Sequence, residues 1–222
     1  MAPRCRRARR PGRLSLSRRF ALAGGFAALL ARPGAATPIA VRAARLPLSE
    51  TEEPPDRLGP LHFMGALDLR ADHRDFGGFS GLLLDPDLTL HAVSDRGSGL
   101  TARLELDRAG VLTGLAEARL FPLLGSRGRP LGRGAWGDAE ALARLPDGRI
   151  LIAFERQHRI MRHDALDRPG RPVPPPPGLS GAPRNGGIEA LTVLADGRVL
   201  AIAERLAGSE PDTVAAWLGP PD

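Results

Sequence analysis

The chain has 222 residues, enough for one sizeable domain with its own core, and only 4% of them are aromatic, with no Tyr. Abundant Gly (27) and Pro (22) weigh against a helical protein and favour turn-rich β structure. The formal charge of +6 suggests nucleic acid, but without residues 1–36 the 31 Arg fall by nine to 22, against 25 acids, a net of −3. The basic excess belongs to the N-terminal segment, and nucleic-acid binding loses its support.

Residues 1–36 read as an export signal peptide. Met1–Arg19 is a basic n-region, Phe20–Leu30 a short apolar h-region, and Gly34-Ala35-Ala36 a small-residue cleavage site. An apolar run of 11 residues is too short for a permanent membrane span. Ser17-Arg18-Arg19-Phe20-Ala21-Leu22 resembles a twin-arginine signal, which would make the twin-arginine export machinery a partner; Ala21 departs from the pattern and leaves the general secretory route open. A disordered basic tail is the plainer alternative. The single cysteine, Cys5, lies in this segment, so the exported chain has no disulfide and no thiolate. The expected location is periplasmic or secreted.

Residues 37–60 are expected to be an irregular lead-in, because Pro and charge interrupt any periodicity. Residues 61–222 are expected to be a partial β-propeller domain. Candidate strands are Leu61–Leu69, Phe79–Leu84, Leu88–Ser94, Leu104–Leu106 and Val111–Phe121, then Glu140–Leu145, Arg149–Glu155, Gln157–His163, Glu189–Leu194 and Arg198–Glu204. Gly125–Gly137 and Arg168–Gly187 read as long loops, the second stiffened by Pro174–Pro177. His158 and His163 are expected at the surface on opposite sides of one strand. Gly78-Phe79-Ser80-Gly81-Leu82 falls short of a nucleophile elbow, since Leu82 stands where Gly is needed. Trp136 and Phe79 are candidates for a pocket wall or for core.

One pattern occurs three times. Gly78-Phe79-Ser80-Gly81-Leu82 leads to Asp85-Pro86-Asp87 and Ser94-Asp95-Arg96. Asp138-Ala139-Glu140-Ala141-Leu142 leads to Asp147-Gly148 and Glu155-Arg156, and Gly187-Ile188-Glu189-Ala190-Leu191 to Asp196-Gly197 and Glu204-Arg205. The first landmark (Ser80, Glu140, Glu189) precedes the acid-Arg pair by 15 residues in every copy, and the copies start 60 and 49 residues apart. A repeated hairpin with variable loops fits all-β propeller blades better than an immunoglobulin-like sandwich. Three copies cannot close a ring of typically 4–8 blades, so the propeller is expected to be incomplete, as in a truncated chain.

Two-residue type I′ turns at Asp147-Gly148 and Asp196-Gly197 would place Glu140 opposite Glu155 and Glu189 opposite Glu204. Facing carboxylates repel unless a cation or a positive group compensates them. Arg156 and Arg205 adjoin the acids, but strand neighbours point to opposite faces. Glu140, Glu155, Glu189 and Glu204 are therefore candidate metal ligands for a hard cation such as Ca²⁺ or Mg²⁺, and with Asp95 they are candidate catalytic acids of a metal-assisted phosphoesterase or esterase. Arg96, Arg156 and Arg205 are candidate binders of a phosphate or ester substrate. Solvated strand ends, a non-catalytic binding module and an inactive fragment remain alternatives.

The same residues resemble the phytase-like family described as having esterase-like activity, a family of exported bacterial propellers. Its blades carry runs similar to Gly77-Gly78-Phe79-Ser80-Gly81-Leu82, Ser94-Asp95-Arg96-Gly97, Asp138-Ala139-Glu140-Ala141-Leu142 and Asn185-Gly186-Gly187-Ile188-Glu189-Ala190-Leu191. The resemblance runs from about Leu61 to about Arg205, and Ala141 and Ala190 depart from it where the family usually has Gly. It implies a hydrolase-like acidic channel.

Overall fold

A computed structural model describes residues 35–50 and 57–221. The segment expected to be an export signal, apart from Ala35 and Ala36, lies outside the described residues, and Cys5 with it. The chain runs through β1 (Thr37–Pro38), β2 (Val41–Leu46), β3 (Arg57–Leu58), β4 (Leu61–His62), β5 (Ala66–Ala71), β6 (Phe79–Leu84), β7 (Thr89–Ser94) and β8 (Ser98–Leu106). It continues through β9 (Leu112–Pro122), β10 (Ala139–Arg144), β11 (Ile150–Phe154), β12 (Arg159–His163), β13 (Gly170–Val173), β14 (Ile188–Val193), β15 (Val199–Ala207) and β16 (Val214–Gly219). The segment expected to be an irregular lead-in thus holds β1, β2 and β3. The Pro-rich loop contains β13 and a 3-10 turn, Leu179–Gly181.

The strands form three antiparallel meanders. Blade 1 has the order β1-β9-β8-β7-β6, blade 2 is β10-β11-β12-β13, and blade 3 is β14-β15-β16. Two-stranded ribbons β2-β5 and β3-β4 complete the topology. The first strand of each blade packs on the first strand of the next, β6 on β10 and β10 on β14. Such radial stacking of meanders is propeller architecture, and the sheets do not close into a ring.

Core composition follows from this stacking. Val93, Phe121 and Leu123 of blade 1 pack with Leu142, Ile152, Phe154 and Met161 of blade 2. The opposite face of blade 2, with Ala141, Ala143, Leu151, Ala153 and Ile160, packs with Ile188, Leu191, Val199 and Ala201 of blade 3. Small residues on the inner strands allow the close approach. A Cβ on Gly81 would stand 2.7 Å from Leu142 Cδ2 and 3.0 Å from the Ala141 Cα.

The hairpin turns differ from the two-residue type expected. The Leu145 amide donates to the Arg149 carbonyl at 2.8 Å and the Gly148 amide to the Leu145 carbonyl at 2.9 Å, which makes a three-residue loop. It is a type I turn closed by Gly148 in the left-handed region (φ 87°), and Gly197 (φ 86°) does the same in blade 3. In blade 1 Leu88 occupies that position with φ 68°. Asp87, Asp147 and Asp196 each accept the amide two residues on, at 3.0 Å. His163 is fully buried, its Nδ1 2.8 Å from the Arg168 carbonyl, contrary to the surface position expected for it.

Candidate functional site

The open ends of the three inner hairpins share one distortion. Pairing shifts between Phe79 and Gly81, between Ala139 and Ala141, and between Ile188 and Ala190. Ser80, Glu140 and Glu189 are therefore the extra residues of three equivalent β-bulges, and a bulge re-aims the side chain it carries. Beyond each bulge an acid closes the hairpin. The amides of Asp95, Glu155 and Glu204 donate to the carbonyls of Gly78, Asp138 and Gly187 at 2.9, 2.8 and 2.8 Å.

The predicted cross-strand pairs are thus corrected. Glu140 is not in register with Glu155, nor Glu189 with Glu204, because the three-residue turn and the bulge each shift the ladder. The carboxylates converge nonetheless. Asp138, Glu140 and Glu155 bring one carboxylate oxygen each within 4.8 Å of one another, and so do Glu155, Glu189 and Glu204. Glu155, 6% exposed, belongs to both groups. Its Oε1 accepts the Gly187 amide at 3.2 Å, which ties blade 2 to the bulge of blade 3.

The sequence did not single out Asp138 as a site residue. Its side chain is 1% exposed, Arg156 Nε lies 2.6 Å from its Oδ2, and its Oδ1 makes no hydrogen bond within the protein. The signal was its departure from the repeat, since the equivalent residues are Gly78 and Gly187. In blade 1 Asp95 fills the corresponding space, and a Cβ on Gly78 would fall 1.9 Å from Asp95 Oδ1. Asp95 belongs to neither three-carboxylate group.

Electrostatics follow from crowding and burial. Burial raises Glu140 to about 7; Ser80 opposes the shift through a hydrogen bond, and Glu189, Asp138 and Glu155 add to it by repulsion. Burial also raises Glu189, with Glu155, Glu204 and Asp138 adding to it and Arg205 opposing. Asp138 is raised by burial against the pull of Arg156.

The three arginines are engaged by the protein. Arg156 has φ 55°, which breaks the alternation expected of a strand and lets the guanidinium reach Asp138. Arg205 pairs with Glu204 at 3.1 Å. Arg96 donates to the Phe76 carbonyl and lines a cleft of about 370 Å³ with Arg74 and Arg133. Trp136 is 59% exposed beneath the Arg159 guanidinium, 5.1 Å from the ring centre, while Phe79 packs edge-on against Phe76.

Stacked antiparallel blades with acids at the open ends of their inner hairpins define a β-propeller with an acidic face, whose carboxylate groups could hold a metal ion. A family model for the phytase-like family, described as "Esterase-like activity of phytase", matches residues 74–219, and the chain belongs to this family. Among solved structures, it is similar to selenomethionine-substituted virginiamycin B lyase from Staphylococcus aureus, with 11% identity and a TM-score of 0.36. That match covers 82% of this chain and 47% of the other, so the chain spans about half the length of that structure. No curated protein matches significantly. No helix among the described residues is long and apolar enough to cross a membrane.

Proposed function

We propose that this chain is part of an exported, cation-dependent hydrolase acting on a phosphate or other ester at its acidic propeller face. The observation that carries the reading is the pair of three-carboxylate groups sharing Glu155, in the first of which burial raises Glu140 to about 7. The donors are all carboxylate oxygens, the set that Ca²⁺ or Mg²⁺ prefers, and the Asp138 Oδ1 is buried without a hydrogen bond. Asp138, Glu140 and Glu155 would hold one ion, and Glu155, Glu189 and Glu204 are the alternative set. Such an ion supplies Lewis-acid polarisation of the ester oxygen.

The chain's own groups supply the rest. With the ion on the Glu155, Glu189 and Glu204 set, Glu140, raised to about 7 in the ion-free protein, is left to hold or release a proton near neutral pH, as a general acid-base group requires. Arg156 keeps Asp138 oriented toward the cluster. Arg205, on the exposed side of Glu204, is placed to exchange its carboxylate partner for an anionic substrate.

A second reading, a cation-binding propeller without catalysis, is favoured by the prior engagement of Arg96, Arg156 and Arg205. Hydrolysis of a chromogenic phosphate monoester and a carboxylic ester, with added Ca²⁺ or Mg²⁺ and with chelator, separates the two. The enzyme reading expects cation-dependent turnover that Glu140→Gln abolishes. Cation binding without turnover on either ester would support the binding module.

A further inference from the structure

His158 belongs to neither three-carboxylate group, yet it touches the backbone that orients their shared member. Glu155 and His158 are the first and last residues of the turn between β11 and β12, and both reach across to blade 3. There they meet residues 182–187, which hold no strand or helix and lead into the bulge of β14.

His158 Nε2 lies 3.0 Å from the Pro183 carbonyl. A carbonyl only accepts, so Nε2 carries the proton and donates. The other ring nitrogen, Nδ1, is buried and makes no hydrogen bond among the described residues. It lies against Gly187, where a Cβ would stand 2.6 Å from Nδ1 and 2.9 Å from Cε1. Leaving a ring nitrogen dry and unpaired is unfavourable, so the bond to Pro183 and the packing on Gly187 must offset it. The imidazole thus grips residues 183 and 187, the two ends of the run that delivers the Gly187 amide to Glu155 Oε1 at 3.2 Å. A bond at one carboxylate oxygen fixes where the other points, which is how outer partners orient a metal ligand.

We infer that His158 is a positioning residue for Glu155: by gripping Pro183 and Gly187 it presents the Gly187 amide to the carboxylate that both acidic groups share. The inference rests on the cation-site reading of that carboxylate; the hydrogen bond itself stands without it.

Two variants of the full chain test this. His158→Ala removes the ring, whereas His158→Gln keeps an N–H donor at the same reach from Cβ for the Pro183 carbonyl. Exchange of the Gly187 amide, followed by NMR without added cation, should be about tenfold faster in His158→Ala and within about twofold of wild type in His158→Gln. The β11 amides should exchange as in the wild type in both. Calorimetric affinity for Ca²⁺ or Mg²⁺, whichever the wild type binds, should fall about tenfold in His158→Ala and recover in His158→Gln. Three outcomes overturn the proposal: unchanged Gly187 exchange in His158→Ala, an equal acceleration in both variants, or faster exchange with unaltered cation affinity. A wild type that binds neither ion would sink the hydrolase reading instead, and the exchange result would still decide the role of His158.

Discussion

Glu155 Oε1 accepts the backbone amide of Gly187 at 3.2 Å, so the carboxylate shared by both acidic groups is also the stitch between blades 2 and 3. A hydrogen bond to a charged acceptor contributes about 1.5–3 kcal/mol.

The site tolerates nothing larger than glycine at position 187. A Cβ there would stand 2.6 Å from His158 Nδ1 and 3.5 Å from Glu155 Cγ. Gly187→Ala should destabilise the protein by about 1–3 kcal/mol. Urea unfolding checks this as a lower midpoint with an unchanged slope.

Stability should fall as pH rises through the acidic range to neutrality. Glu140 keeps its proton up to about pH 7 in the folded protein but only to its ordinary 4.5 when unfolded. Between these values the folded state binds more protons, so stability present at low pH is lost as pH climbs from about 4.5 to 7. Glu189 and Asp138 are raised too and act in the same direction. Glu140→Gln should flatten this slope in thermal melts between pH 4 and 8 without added cation. A bound cation should flatten it as well, by favouring the ionised form.

Leu88 holds a left-handed conformation that glycine fills in the other two blades. Leu88→Gly should raise stability by about 1 kcal/mol, read as a higher melting temperature. Gly148→Leu should have the opposite effect.

The stacking of blades separates two equivalent leucines. Leu142→Ala at a 5% exposed position should cost about 2–5 kcal/mol, whereas Leu82→Ala at 64% exposure should cost under ~0.5 kcal/mol. Parallel urea titrations of the two variants check the difference.

The blade repeat was legible because the landmarks Ser80, Glu140 and Glu189 and the acids 15 residues on sit at fixed structural positions, the bulge and the end of the hairpin. Register was not legible. Asp-Gly suits a two-residue turn and also the end of a three-residue loop, and Pro146 before Asp147 favours the second. The bulges were invisible too, since Ala, Glu and Ile carry no bulge signature. The acids meet because the bulges turn Glu140 and Glu189 toward neighbours they do not pair with. Asp138 escaped notice because a repeat draws the eye to what is shared, while this side chain replaces two glycines. The ribbon strand β2 (VRAARL) was hidden by the Pro residues on either side of it.

Cation binding centred on Glu155 is tested most directly by calorimetric titration of Ca²⁺ and Mg²⁺ into the wild type and Glu155→Gln. The wild type should bind one of these ions with release of protons, and Glu155→Gln should lose binding altogether because both groups share this carboxylate. Absence of binding by the wild type, or unchanged affinity in Glu155→Gln, would contradict the assignment.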